Sequence, residues 1–193
     1  MEITPLRTDG SLSLPLPLYA SVRIADALGR DGSRFFISAG LDERLVAELT
    51  RLSHDTSDTE LQKHTGDRER FGEGAYAEWY AKERAPFALV ERETGGLAAL
   101  AWLGPKTMPS GLSSTENQQT LAYRCYSKFR GKGLMKDFVD FVITTYLAFV
   151  PNAVLWTEVS AENAASRALA EKLGFKTVQA KAKGEKKVIM IRA

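Results

Sequence analysis

The chain has 193 residues, and 44% of them are hydrophobic, which suits one compact domain with a well-filled core. The charged fraction of 26% excludes a wholly disordered chain, and a formal net charge of +2 gives no support for a nucleic-acid partner. The single cysteine, Cys125, excludes an internal disulfide and a zinc site built from cysteines. No apolar run is long enough to span a bilayer and no signal peptide is visible, so we expect a cytoplasmic protein without a membrane or metal partner.

The first half of the chain predicts one strand and two helices. Residues 1–32 show no regular hydrophobic period, so they are predicted to form an N-terminal extension that packs on the domain or frays from it. A strand is expected at residues 33–39, and a helix begins after the N-cap Asp42. Residues 54–74 are polar and predict a loop with room for one helical turn. A second helix is expected at residues 75–84.

The second half alternates between strands and helices. Two apolar runs flank Glu93-Thr94-Gly95-Gly96, which predicts a hairpin over residues 86–103. A strand, an amphipathic helix, a strand, a capped helix and a closing hairpin follow, at residues 120–126, 134–147, 153–159, 163–173 and 175–191. The basic tip of the last hairpin, with Lys181, Lys183, Lys186 and Lys187, is expected to be a solvated turn. Hairpins around one strand–helix–strand crossover predict a mixed α/β fold.

The turn at Arg130-Gly131-Lys132-Gly133 carries the clearest chemical signal. It joins a predicted strand to a predicted helix, where unpaired amides and the helix dipole favour an anion. Glycine allows the backbone to approach a ligand closely, and Arg130 and Lys132 add positive charge, so the turn predicts a phosphate or pyrophosphate site. It is not a nucleoside-triphosphate P-loop, because Leu134 stands where that motif needs Ser or Thr, and it lacks the third glycine of a dinucleotide fingerprint. A surface turn without a ligand remains the alternative.

Two motifs together resemble the Gcn5-related N-acetyltransferase (GNAT) superfamily. Arg130, Gly133 and Met135 fill the places of its acetyl-CoA motif, although the family has a small residue at the last of them. The later segment resembles the family's second motif, in which Asn163 opens a helix and Leu173-Gly174-Phe175 ends it. The resemblance covers roughly residues 35–192. It implies a single domain over residues 1–193 with a central, mostly antiparallel twisted sheet and helices on both faces.

The resemblance also implies acetyl-CoA as co-substrate and places its binding residues. The main chain of one strand would pair with the pantetheine arm, the glycine turn would hold the phosphates, and the second motif would contact the arm. The residues implied for these roles are Tyr123, Arg124, Cys125, Tyr126, Arg130, Gly131, Lys132, Gly133, Leu134, Met135, Asn163 and Ser166.

Glu158 is the candidate general base, because it lies near the end of the strand expected beside the thioester. The alternative is a solvated glutamate at a strand end. Ala170 occupies the place at which many family members carry a tyrosine that protonates the departing thiolate. Tyr126 and Tyr146 are candidates for this acid, although packing is the favoured role for both.

Two functions follow from the resemblance. The first is an N-acetyltransferase that moves the acetyl group of acetyl-CoA to an amine of a small molecule or peptide by direct attack in a ternary complex. The second is an acyl-CoA-binding or sensing module of the same fold with weak or no catalysis, which Ala170 keeps open. We expect a monomer or homodimer. Solvated loop positions are expected for His54 and His64.

Overall fold

The computed structural model describes residues 1–7, 12–109, 117–180 and 187–192. Nine strands within these residues form a single sheet. They are β1 (Glu2–Pro5), β2 (Ser21–Leu28), β3 (Arg34–Gly40), β4 (Ala85–Glu91), β5 (Leu97–Pro105), β6 (Gln118–Cys125), β7 (Val154–Ser160), β8 (Lys176–Ala180) and β9 (Lys187–Arg192). The helices are α1 (Glu43–Ser53), α2 (Thr59–His64), α3 (Asp67–Phe71), α4 (Ala75–Tyr80), α5 (Met135–Phe149) and α6 (Ala164–Lys172), with a 3-10 turn at Ser127–Phe129.

The strand order across the sheet is β1-β2-β3-β4-β5-β6-β7-β9-β8. Every neighbouring pair is antiparallel except β6 and β7, which are parallel and are connected through α5. The predicted mixed α/β fold with a mostly antiparallel sheet is therefore confirmed. None of the helices in the described part of the chain is long and apolar enough to cross a membrane.

The parallel pair separates along its length. β6 and β7 pair only from Gln118 opposite Val154 to Thr120 opposite Trp156. Beyond these residues β6 continues beside β5 as far as Cys125, and β7 continues beside β9 as far as Ser160. A wedge-shaped gap therefore opens in the middle of the sheet, toward the C-terminal ends of β6 and β7.

Helices cover both faces of the sheet. Because side chains alternate along a strand, Ala99 and Ala101 of β5 belong to the core under α5 and α6. Leu100 and Trp102 belong to a second core under α1, α3 and α4. We refer to these as the α5–α6 face and the α1–α4 face.

The N-terminal segment differs from the irregular extension predicted for residues 1–32. β1 and β2 are strands of the sheet, and β2 pairs with β3 from Ser21 opposite Gly40 to Leu28 opposite Arg34. A bulge interrupts the register of β2, so that the adjacent residues Ile24 and Ala25 are both buried. This bulge breaks the alternation by which a strand is detected in a sequence.

Two further boundaries differ from the prediction. The polar segment 54–74 contains α2 and α3, and the helix expected at residues 75–84 ends at Tyr80. The Asp58 side chain caps α2 by accepting a hydrogen bond of 3.0 Å from the Leu61 amide. In the closing hairpin, Lys181, Lys183 and Lys186 lie outside the described residues.

Candidate active site

A cavity of about 660 Å³ opens at the gap between β6 and β7. Most of the predicted site residues line it, namely Tyr123, Arg124, Cys125, Arg130, Gly131, Gly133, Leu134, Met135, Glu158, Asn163 and Ser166. The fold thus brings the glycine turn, the end of β7 and the start of α6 around one space. A cavity of this volume suits an extended organic ligand.

The glycine turn forms one end of the cavity. Gly131 and Gly133 have φ angles of +75° and +70°, a backbone conformation that glycine adopts without strain. Apart from the adjacent residues of the turn, no atom of the described residues lies within 4 Å of the position that a Cβ would take at either glycine, so the turn faces open space. The first main-chain hydrogen bond of α5 runs from the Phe138 amide to the Leu134 carbonyl. The amides before Phe138 therefore have no partner within the helix, as an anion site requires.

Arg130 has a different role from the phosphate contact suggested by its charge. Its guanidinium forms two hydrogen bonds of 2.7 Å to the buried carboxylate of Asp58, and its Nε donates to the Cys125 carbonyl at 2.9 Å. This arrangement neutralises the positive charge of Arg130 and fixes the turn against α2 and β6. The structure therefore corrects the prediction that Arg130 adds a free positive charge to the phosphate site.

Two other predicted residues place their side chains away from the cavity. The Lys132 ammonium lies 3.4 Å from the Asp31 carboxylate and over the ring of Phe129. Tyr126 is buried in the core of the α1–α4 face, and burial raises its pKa well above the ordinary value. Its hydroxyl has no hydrogen-bond partner in the described part of the chain. Tyr126 is therefore not positioned to donate a proton into the cavity.

Tyr123 places a hydroxyl group on the α5–α6 side of the gap. The hydroxyl donates to the Ser166 carbonyl at 2.9 Å and accepts from Ser166 Oγ at 3.1 Å. Burial raises the pKa of Tyr123, and the hydrogen bond from Ser166 acts in the opposite direction. Ser166 and Ala170 lie four residues apart on α6 and therefore share one face of this helix. The strand tyrosine thus reaches the helix face on which residue 170 has only a methyl group.

Asn163 is occupied by a structural contact. Its side-chain oxygen accepts from the Ser166 amide at 2.9 Å and caps α6, as the sequence predicts for the residue that opens this helix. The other end of α6 is closed by Gly174, whose φ is +86°.

Glu158 lies on the other side of the gap from Tyr123. Its neighbour Val159 packs into the core of the α5–α6 face, and Trp156 packs against Met108 on the opposite face. Since side chains alternate along β7, Glu158 shares the α1–α4 face with Trp156.

The Glu158 carboxylate lies 3.4 Å from the Lys187 ammonium, and the Glu158 side chain is 26% exposed. The group is therefore accessible from the cavity.

Cys125 is not an activated nucleophile. Burial raises the pKa of its thiol to about 11, and the nearby charge of Arg130 only partly opposes this effect. The thiol therefore stays protonated at neutral pH, whereas nucleophilic cysteines need a thiolate.

Several lining residues were not predicted from the sequence. α2 contributes Glu60, Leu61 and His64, although the segment lacks an apolar period long enough to predict a helix there. His64 is largely buried, with Nε2 3.5 Å from a carboxylate oxygen of Glu60, rather than solvated as expected. The described residues contain no group of three His, Cys, Asp or Glu side chains placed to hold a metal ion.

Comparison with known proteins identifies the family. Residues 42–176 match the family model of the acetyltransferase (GNAT) domain, so the chain belongs to this family. No protein in a search of curated sequences matches it.

Solved structures share the fold at low sequence identity. The ribosomal-protein-S5-alanine acetyltransferase of Vibrio fischeri is 12% identical with a TM-score of 0.59, covering 81% of this chain and 92% of that one. RimJ of Mycobacterium smegmatis, in complex with CoA-disulfide, is 14% identical with a TM-score of 0.59 and 81% coverage of both chains. The spermidine N-acetyltransferase of Vibrio cholerae, in complex with CoA and spermine, is 14% identical with a TM-score of 0.58, covering 81% of this chain and 92% of that one.

Proposed function

We propose that the protein is an N-acetyltransferase that transfers the acetyl group of acetyl-CoA directly to an amine. The observation that carries this proposal is the continuous cavity that joins the glycine turn to Glu158 through the gap between β6 and β7. Family membership and the CoA named in two of the related structures support it.

Acetyl-CoA fits the cavity by the chemistry of its parts. The amides of the glycine turn and the first turn of α5 suit the pyrophosphate, and Lys136 and Lys172 add positive charge to the lining. Beyond Thr120 the edge of β6 that faces β7 has no strand partner among the described residues, so its main chain is available to the pantetheine amides. The thioester would then lie in the gap near Glu158 and Tyr123.

The two sides of the gap supply the two proton transfers. Glu158 accepts a proton from the incoming ammonium, and the neutral amine attacks the thioester carbon from the α1–α4 face. A C–N bond forms, Glu158 passes the first proton to solvent and then accepts the second proton from the acylated nitrogen, and the C–S bond breaks so that the thiolate leaves toward the α5–α6 face. Tyr123 protonates this thiolate, and the hydrogen bond from Ser166 Oγ stabilises the resulting phenolate. In this scheme Tyr123 takes the role for which residue 170 has no hydroxyl.

An acyl-CoA sensor is the second candidate function, and Ala170 is the observation that favours it. Thermal unfolding and thiol release, measured on the same preparation, separate the two. Acetyl-CoA at millimolar concentration should raise the midpoint of unfolding through mass action. A transferase should also release free thiol from acetyl-CoA when a panel of amines is added. Binding without thiol release identifies the sensor, and the absence of any thermal shift contradicts both functions.

Gly133→Val should weaken CoA binding about 10- to 100-fold, because the side chain enters the space that the phosphates need and the loss of charged hydrogen bonds costs ~1.5–3 kcal/mol. Gly74→Val is the matched control. Gly74 has a φ of +76° and the same open space around its Cβ position, so valine imposes equal backbone strain there, but it does not line the cavity. Calorimetric titration with CoA compares the two. Equal affinities for the two variants would place the phosphates elsewhere.

A further inference from the structure

Positively charged side chains cluster on the α1–α4 face beside the gap. The rings of Trp102 and Trp156 form its base. The Arg70 and Arg124 guanidinium carbons lie 5.6 and 4.9 Å from the centre of the Trp102 ring, and the Lys106 ammonium lies 5.1 Å from that of Trp156. Aromatic rings and cations thus alternate over the central strands of the sheet.

Arg84 completes the cluster. Its guanidinium lies directly over Gly104, where an added Cβ would be 3.0 Å from Nη1. In the register of the sheet Gly104 is opposite Thr120, which is opposite Trp156, so Arg84 and Lys106 lie over the same row of residues. Neighbouring strands are about 4.8 Å apart, which places these two anchoring positions about 10 Å from each other.

Among the residues that the structure describes, carboxylates do not balance the charge of this cluster. Asp67 is shared, because it accepts two hydrogen bonds from Arg124 and one from Arg70. Arg84 is half-buried and donates to the Pro105 carbonyl at 3.2 Å, and within the described residues it has no carboxylate partner. Burial lowers the pKa of Arg84, and the charge of Arg70 acts in the same direction. A half-buried guanidinium that is repelled by its neighbour favours a bound anion.

The proposed general base lies next to this cluster. Glu158 is two residues beyond Trp156 on β7 and shares its face, which corresponds to about 7 Å along the strand. Burial lowers the pKa of Lys106, and the charge of Glu158 partly opposes this effect. When the amine of a ligand faces Glu158, a second group a few bonds from that amine therefore lies near Lys106, and Arg84 lies farther along the same row.

We propose that the amine acceptor also carries a carboxylate, which binds between Lys106 and Arg84 while the amine faces Glu158. This inference rests on the transferase proposed above. It assigns the acceptor to the amino acids and related amino carboxylates, and it argues against polyamines, which the same cations would repel.

Binding of reaction products tests this acceptor class without requiring turnover. The probes are N-acetylglycine, N-acetylphenylalanine and N-acetylglutamate, each compared with its carboxamide by calorimetric titration into CoA-saturated protein. We expect at least one carboxylate to bind about 10- to 100-fold more tightly than its amide, with an advantage that shrinks as salt is added. Equal affinities within every pair, or no binding of any probe, would overturn the proposal.

Arg84→Gln should abolish the advantage of the carboxylate over the amide. Arg44→Gln is the matched control, since Arg44 also donates to a main-chain carbonyl, that of Gly95, and the change in net charge is the same. If both variants reduce the advantage equally, bulk charge explains it and the site is wrong. Thiol release from acetyl-CoA with the free amino acids is measured in parallel. A carboxylate advantage without thiol release contradicts the transferase alone, whereas equal turnover of neutral amines contradicts the carboxylate site alone.

Discussion

Glu158→Gln should lower the turnover of acetyl-CoA by about 10²–10⁴-fold at neutral pH, which is the usual contribution of a general base. Glutamine keeps the size and most of the hydrogen-bonding reach of glutamate but does not accept the ammonium proton. CoA affinity should stay unchanged, because Glu158 is on the β7 side of the gap and the glycine turn is at the other end of the cavity. Thiol release and CoA titration on the same samples measure both quantities.

The control is Glu162→Gln, which removes an equal charge from an exposed carboxylate 3.4 Å from Lys63. Stability should change little in either variant, because the pair of Glu158 with Lys187 is partly exposed and such pairs contribute little. Unchanged turnover in Glu158→Gln would show that another group accepts the proton, and Glu60 and His64 are the candidates that α2 contributes to the cavity lining.

Tyr123→Phe is expected to lower turnover by about 10²-fold or more, because the thiolate then leaves without its proton donor. The pH profile gives a second readout. Burial raises the pKa of Tyr123, so the phenol keeps its proton at neutral pH and also at pH values just above the ordinary pKa of tyrosine. Since the protonated form is the active one, the parent should keep its activity in alkaline solution and lose it only as the pH rises through this raised pKa. The phenylalanine variant should lack that alkaline decline.

Two variants control for structural damage at Tyr123. Tyr146→Phe also removes a tyrosine hydroxyl. That hydroxyl donates a hydrogen bond of 2.8 Å to Gln119 and does not line the cavity, so this variant should leave turnover unchanged. Ser166→Ala keeps the carbonyl that accepts from Tyr123 but removes the hydroxyl that stabilises the phenolate, so a smaller loss of turnover is expected. An alkaline decline that persists in Tyr123→Phe would assign the proton donor elsewhere.

The parts of the site that are local in the chain were predictable from the sequence. The glycine turn and the capped start of α6 depend on neighbouring residues, so spacing alone indicates them. The role of Arg130 depends on Asp58, which is 72 residues away, and no local pattern contains that contact. The charge of Arg130 therefore suggested a phosphate ligand, whereas its guanidinium is used to fix the turn.

Tertiary contacts also explain the elements that were missed. α2 and α3 are too short to be stable alone, and their sequence lacks the long apolar stripe of an independent helix. Buried carboxylates at Asp58 and Asp67 attach them to the glycine turn and to β6. Tyr123 was expected to contribute through its main chain, and only the position of α6 in the fold reveals what its hydroxyl contacts.

The attachment of α2 and α3 links the two substrates thermodynamically. Asp58 restrains the turn proposed to hold the phosphates, and Asp67 restrains Arg124 and Arg70 on the proposed acceptor face. One short segment thus connects both binding regions. If acetyl-CoA binding orders this segment, the conformational entropy lost in that step is not lost again when the acceptor binds, and the reverse holds by the same factor. We therefore expect positive cooperativity between the substrates, which a titration would measure as tighter binding of either one when the other is present.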